Sequence, residues 1–279
     1  MAICNIMLLY RYGAHDSLLC KAWREGHPTV AVGDEEMDDP PALTASEQPP
    51  PLYDSSQAEN MPHGGQMGGG GSLSTQPAQE ISISVSKRLA FTILSMTLDR
   101  LDDNSMRPHW HAWMVFLSYI IGSAPAARLI ENDFPWVALV EMLNGLLVPL
   151  GVDDADISAK MASARFPSAV GHPLPEDYDL HGFDWAQCYF PSNWFKDARI
   201  DSEKRSQEFP SMANIRRERI LWLAVRICGD GDWLAYSAGI RSFAVHPALR
   251  QRIEASKAAA ADVEMATCGH SDDDDFVVI

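Results

Sequence analysis

The chain has 279 residues, 46% of them hydrophobic and 22% charged, with a formal net charge of −16. Its length allows one large or two modest domains with a sizeable core. Its acidity excludes a protein whose whole surface coats nucleic acid or anionic lipid. The charge is unevenly spread: residues 1–80 carry 3 basic and 11 acidic side chains, residues 81–262 carry 19 and 22, and residues 263–279 carry 0 and 5. Cys4, Cys20, Cys188, Cys228 and Cys268 form no C-x-x-C pair. That usage fits a reducing compartment and suggests neither a disulfide framework nor a zinc site.

The opening MAICNIMLLYRYG has an apolar run but no basic n-region or small-residue cleavage site, so no signal peptide is read there. Residues 1–25 read either as a short helix or as a segment with no fold of its own. Residues 26–80 read as an unstructured linker, with Pro40-Pro41, Pro49-Pro50-Pro51, the acidic run 34–39 and the glycine run 64–72. Such a composition buries too little apolar surface to offset backbone entropy. Its glycines are not a phosphate loop, because Gly71 leads into Ser72-Leu73-Ser74 and not into Gly-Lys-Ser/Thr.

Helical periodicity begins after the linker. The segment 84–104 places Leu89, Ile93, Leu94, Leu98 and Leu101 on one stripe, and Trp110, Trp113, Met114, Leu117, Ile120 and Ile121 follow a 3.6-residue period. Ser105 reads as the N-cap of the second helix, Pro108 sits in its first turn, and Gly122 ends it. A short helix over 125–131 and a helix over 134–148 capped by Asp133 come next. The latter lies in the most lipid-like stretch, 134–152, but Glu141, Asn144 and two prolines favour a buried helix over a membrane span. Strand-like alternation is almost absent. The fold therefore reads as all-α, with antiparallel helical hairpins in an α-solenoid-like arrangement. The chain divides into three segments: 1–80 mostly disordered, 81–263 the helical domain, and 264–279 a disordered acidic tail. The tail's SDDDDFVVI also fits an acidophilic kinase site followed by a strand that adds to a partner's sheet.

Residues 165–210 form a long aromatic loop, expected to dock on the core because Phe183, Trp185, Tyr189, Phe190, Trp194 and Phe195 are too dense for a free loop. A helix over 211–228 comes next, then a last one from Pro247 to about Ala261. Arg216, Arg217, Arg219 and Arg226 lie on the first of these, which is apolar nearly all round from Ile220 to Cys228. Arg219 and Arg226 share a face with Trp222 between them, so at least one should be buried and paired, with Glu176, Asp177 and Asp179 as natural partners. Two readings stand. In one, the arginines clamp the loop to the core. In the other, Arg216 and Arg217 join Lys196, Arg199, Lys204 and Arg205 in a basic strip for phosphates, with aromatics stacking bases. His109-Trp110-His111 is no metal pair, since residues i and i+2 face different ways on a helix. No nucleophile or clustered-carboxylate signature appears, so no enzyme, metal or cofactor is read.

Four pieces, in order, resemble the DNA/RNA-binding domain of the Ever Shorter Telomeres telomerase-associated proteins, which is shared with the Smg-type nonsense-mediated mRNA decay adaptors. They are Leu174-Pro175-Glu176-Asp177, Leu180-His181-Gly182-Phe183, Tyr189-Phe190-Pro191 with Trp194-Phe195, and Arg216-Arg217-Glu218-Arg219-Ile220-Leu221-Trp222-Leu223. The match covers about 172–236 and extends less specifically upstream to about residue 81. The resemblance implies a helical-hairpin domain and a nuclear adaptor that shuttles to the cytoplasm. Its implied partners are telomerase RNA or telomeric single-stranded DNA, telomerase or mRNA-decay proteins, and a phosphorylated RNA helicase; no membrane is implied. It gives Leu174, Pro175, Glu176, Asp177, Gly182, Arg219, Trp222 and Arg226 as the structural motif. Where the family often carries arginine, this chain has His181. The phosphopeptide-binding, tetratricopeptide-containing module expected upstream does not fit within residues 1–80, so the chain reads as a partial copy. The alternative to nucleic-acid binding is a protein-interaction scaffold whose arginines are all internal.

Overall fold

A computed structural model describes residues 1–14, 17–27, 76–148, 154–167, 173–195 and 207–268. The expected linker and acidic tail lie for the most part outside them. The amino-terminal segment is helical, and both its helices belong to the core. Helix α1 (Ala2–Leu9) packs on α3 (Gln76–Leu98) and α4 (Arg107–Ile120), and α2 (Leu18–Gly26) packs on α5 (Ala124–Glu131). Ile6, Leu9 and Leu19 are fully enclosed. Each helix has fewer than three turns, too short for sequence periodicity to separate docking from an isolated apolar run. Ser17 caps α2 by accepting from the Cys20 N–H. The other end of α2 passes close to α5: a Cβ on Gly26 would collide with Ser123 Oγ, which itself donates to the Ala22 carbonyl.

Helix α3 buries Leu94 and Leu98 of the expected stripe, with Ile93 partly buried, and adds Ala90 and Phe91 to it. Ala90, Phe91, Leu94 and Leu98 face the core, Leu89 is half exposed, and Leu101 falls beyond the helix end. The helix packs on α1, α4 and α6 (Trp136–Leu147), and its Lys87 ammonium donates to the Leu129 carbonyl and pairs with Asp133. Ile81, Val85 and Met96 are left on the outer face. By length and composition the stretch Gln79–Leu98, mean hydropathy 1.3, could cross a membrane. The 134–152 stretch instead yields the twelve-residue α6 (Trp136–Leu147), with Trp136, Leu139, Met142 and Leu143 buried.

Helix α4 is enclosed on nearly every side and makes its broadest contact with α10 (Pro210–Asp230). Its entry is a 3-10 turn, Asn104–Met106, capped by Asp103, whose carboxylate accepts from the Ser105 N–H. Ser105 is thus the donor and not the cap. Asp133 does not cap α6, whose N-cap is Pro135. Helix α7 (Asp154–Ala162) packs on α10. Within the aromatic loop, α8 (Pro175–Leu180) and α9 (Asp184–Gln187) fold as short helices, and Leu180, Trp185 and Ala186 dock in the core.

One element breaks the all-α pattern. Strands β1 (Leu234–Ser237) and β2 (Ser242–Val245) form an antiparallel hairpin with Tyr236 opposite Phe243. Four residues per strand are too few for alternation to register. The Asn144 side chain on α6 donates to the Phe243 carbonyl and accepts from its N–H. The last helix, α11 (Pro247–Cys268), runs further than expected. Glu131 ties these parts together, accepting from Trp233 Nε1 and from both Nε and Nη2 of Arg252.

The docked amino terminus and the half-exposed Leu89 of α3 give paired expectations. Leu19→Ala should cost about 2–5 kcal/mol of unfolding free energy, as for a fully enclosed leucine. Leu89→Ala should stay within about 0.5 kcal/mol of the parent in the same urea titrations.

Candidate functional site

Helix α8 opens with Pro175 at its first position, and Asp177 at the third reaches back to accept the Leu174 N–H at 2.9 Å. Both acids of this first turn are buried. Opposite them, α10 presents arginines three residues apart, on one helix face. Arg216 forks onto Glu176, Nε to Oε1 at 2.7 Å and Nη2 to Oε2 at 2.8 Å. Arg219 Nη1 meets both oxygens of Asp177, at 2.9 and 2.7 Å. The Arg219 guanidinium lies 4.8 Å from the Phe166 ring centre and 5.2 Å from that of Trp194. Trp194 also donates to Asp177, so the loop's far end is drawn to the same carboxylate.

The network continues beyond the expected partners. Glu208 engages Arg216 from the other side, at Nη1 and at Nη2. His111 of α4, fully buried, places Nδ1 3.0 Å from Glu176 and Nε2 2.6 Å from the Tyr189 hydroxyl. Nδ1–H donates to the Glu176 carboxylate, and Nε2 is hydrogen-bonded to the Tyr189 hydroxyl. Burial pushes the Glu176 carboxyl up, but the hydrogen bonds from His111 and Arg216 outweigh it and hold it down at about 2. Burial, aided by the nearby Asp177 and Glu176 carboxylates, raises the Tyr189 phenol well above its ordinary value. Arg216 is held above its ordinary value because Glu176 and Glu208 overcome its desolvation.

Arg216 is 1% exposed, Arg217 is 7% and Arg219 is 0%. The placement of Arg216 and Arg217 in a phosphate-binding strip is thereby corrected. Arg217 points inward and donates to the Leu146 and Val148 carbonyls at the end of α6, where an arginine satisfies groups that have no partner within the helix. Arg107 of α4 lies beside it and donates to the Ala213 carbonyl; its own burial and the neighbouring Arg217 and Arg216 lower its affinity for a proton. Lys196, Arg199, Lys204 and Arg205 lie outside the described residues. Of the expected motif, Leu174 and Trp222 are buried, Trp222 Nε1 donates to the Ser163 carbonyl, and Gly182 takes a left-handed φ of +101° after α8. Arg226 is the exposed member of the 219/226 pair and lies over the Trp222 ring. Asp179, also expected as a partner, forms no ion pair with these arginines among the described residues. His109 accepts from Trp113 Nε1, and burial pulls its pKa down to about 4.

The sequence did not assign Glu208, His111 or Tyr189 to this network. Glu208 sits eight residues before Arg216, just ahead of the helix, where an acid is a reasonable guess for an N-terminal arginine. His111 carried no signal, because its partners are 65 and 78 residues away. Among the described residues no group of three or more His, Cys, Asp and Glu side chains converges as a metal site would require. Comparison of the chain with known protein families, curated proteins and solved structures finds no match.

Truncating one partner of these buried pairs should expose the cost of the other. Arg219→Ala and Asp177→Ala are each expected to lower unfolding free energy by about 3–5 kcal/mol in denaturant titrations. Acid should act through Glu176. Its carboxyl is depressed in the folded state, so its contribution is present above the ordinary value of 4.5 and is lost as pH falls towards about 2. Thermal unfolding measured between those limits should therefore drop more steeply for the parent than for Glu176→Gln.

Proposed function

We propose that the chain is a non-enzymatic adaptor of the telomerase and mRNA-decay type that its motif string resembles, working in the nucleus and shuttling to the cytoplasm through contacts with protein partners. The observation that carries the protein-contact reading is the burial of Arg216, Arg217 and Arg219. Arginines enclosed in the domain and committed to Glu176, Asp177, Glu208 and two helix-end carbonyls do not reach a phosphate backbone. Those arginines fix the loop's surface, and that surface is what a partner meets. The rival reading, direct contact with telomerase RNA, telomeric DNA or messenger RNA, would rest on Lys196, Arg199, Lys204 and Arg205, and the assay tests it through them.

Fluorescence anisotropy with labelled oligouridine and G-rich single-stranded DNA of roughly 15 nucleotides, across about 50–200 mM salt, is the test. The expected result is no binding that weakens with salt. Salt-dependent binding that charge reversal of Lys204 and Arg205 abolishes would restore the nucleic-acid reading and overturn this one.

A further inference from the structure

Helices α4 and α10 begin beside each other. Arg107, the first residue of α4, donates from Nη1 to the carbonyl of Ala213 in the first turn of α10, at 2.8 Å. Arg107 is 6% exposed, yet it forms no ion pair among the described residues. Arg216 and Arg219, enclosed in the same way, are each met by carboxylates. The charged side chains near enough to perturb Arg107 are Arg217 and Arg216, both cations. Neither helix carries an acid in its first turn, so the positive ends of both add to the charge. From this unmet charge and the open edge of its guanidinium we infer that Arg107 is a binding site for a single carboxylate, held where α4 and α10 begin. The inference goes beyond the adaptor reading and does not rest on it.

The guanidinium sets the shape of the ligand. Nη1 is committed to Ala213, and Nε is enclosed without a partner. Nη2 shares an edge with Nε and has no partner among the described residues, but it is not enclosed, so solvent reaches the edge there. Two parallel N–H groups on one edge match the two oxygens of a carboxylate. Arg216 uses that same edge on Glu176, Nε to Oε1 and Nη2 to Oε2.

Charge sets the valence. An isolated buried charge is among the costliest arrangements in a protein, and one unmet cation calls for one negative charge. A phosphate dianion would leave a surplus charge in the same surroundings. Water supplies an acceptor but no charge, and chloride has no pair of oxygens to lay along the edge.

Thermal unfolding of the full chain at neutral pH, in sodium acetate against sodium chloride of equal ionic strength, tests the site. The expected midpoint rises with acetate and saturates, as for a ligand that binds only the folded state, and chloride does not reproduce the rise. In Arg107→Met the saturable response should vanish. Should that variant not fold, the Nε–H resonance of Arg107 in the parent provides the second arm and should shift saturably with acetate. A tripeptide with a central glutamate, blocked at both ends, is compared with its glutamine counterpart to separate the sources. Saturation by the glutamate peptide assigns the carboxylate to an acidic side chain of a partner, and saturation by acetate alone assigns it to a small free acid. A midpoint and a resonance that respond alike to acetate and chloride overturn the inference. A saturable acetate response that survives in Arg107→Met overturns it as well.

Discussion

Two carboxylates in the first turn of a six-residue helix, buried against two arginines of a central one, hold this domain together. Helix α8 is too short to be stable by itself, so its position depends on the side chains that grip it. Desolvating four charges is expensive, and the interaction returns that cost only when the geometry is nearly ideal. Here Glu176 is gripped by a guanidinium fork and by His111, while Asp177 takes two contacts from Arg219, the Leu174 N–H and the Trp194 indole. The carboxylates meet so many donors that each excludes alternative positions for the loop. Such pairs act on specificity of packing at least as much as on stability.

The influence of that clamp reaches well past the ion pairs. The loop brings Tyr189 against His111 and Phe166, and Phe166 in turn touches Trp194 and Trp222. Edge-to-face contacts dominate this cluster, as ring quadrupoles favour. A surface of aromatic rings is thereby held rigid, although it is built largely from a segment with little regular structure. Rigid rings lose little entropy when something binds them. The same arginines that look from composition like a nucleic-acid surface are the reason this other surface exists.

The parts of this architecture that are legible in the sequence are those governed by local rules. The α4 stripe from Trp110 to Ile120 is readable because an apolar period over three turns has only one interpretation, and the carboxylate–arginine clamp is readable because buried arginines require partners. Failures come where a distant contact decides the outcome. Packing of α3 on α1, α4 and α6 buries Ala90 and Phe91, and leaves Leu89 half exposed. Arg216 and Arg217 look like surface residues at the start of a helix, yet Glu208 and the end of α6 enclose them. His111 joins the network through partners from other elements. The basic-strip reading gave the outer arginines to solvent, and no property of those residues themselves could have decided otherwise.

At the other end of the domain, the Asn144 amide meets a different hazard. A two-stranded ribbon has two open margins, and unpaired backbone groups along such a margin invite strands from neighbouring molecules. By donating to the Phe243 carbonyl and accepting from its N–H, Asn144 occupies the outer side of β2 as a single-residue surrogate for a third strand. The hairpin is thus terminated from within by a helix side chain. On that margin a helix side chain takes the backbone groups that a strand from a neighbouring molecule would otherwise pair with.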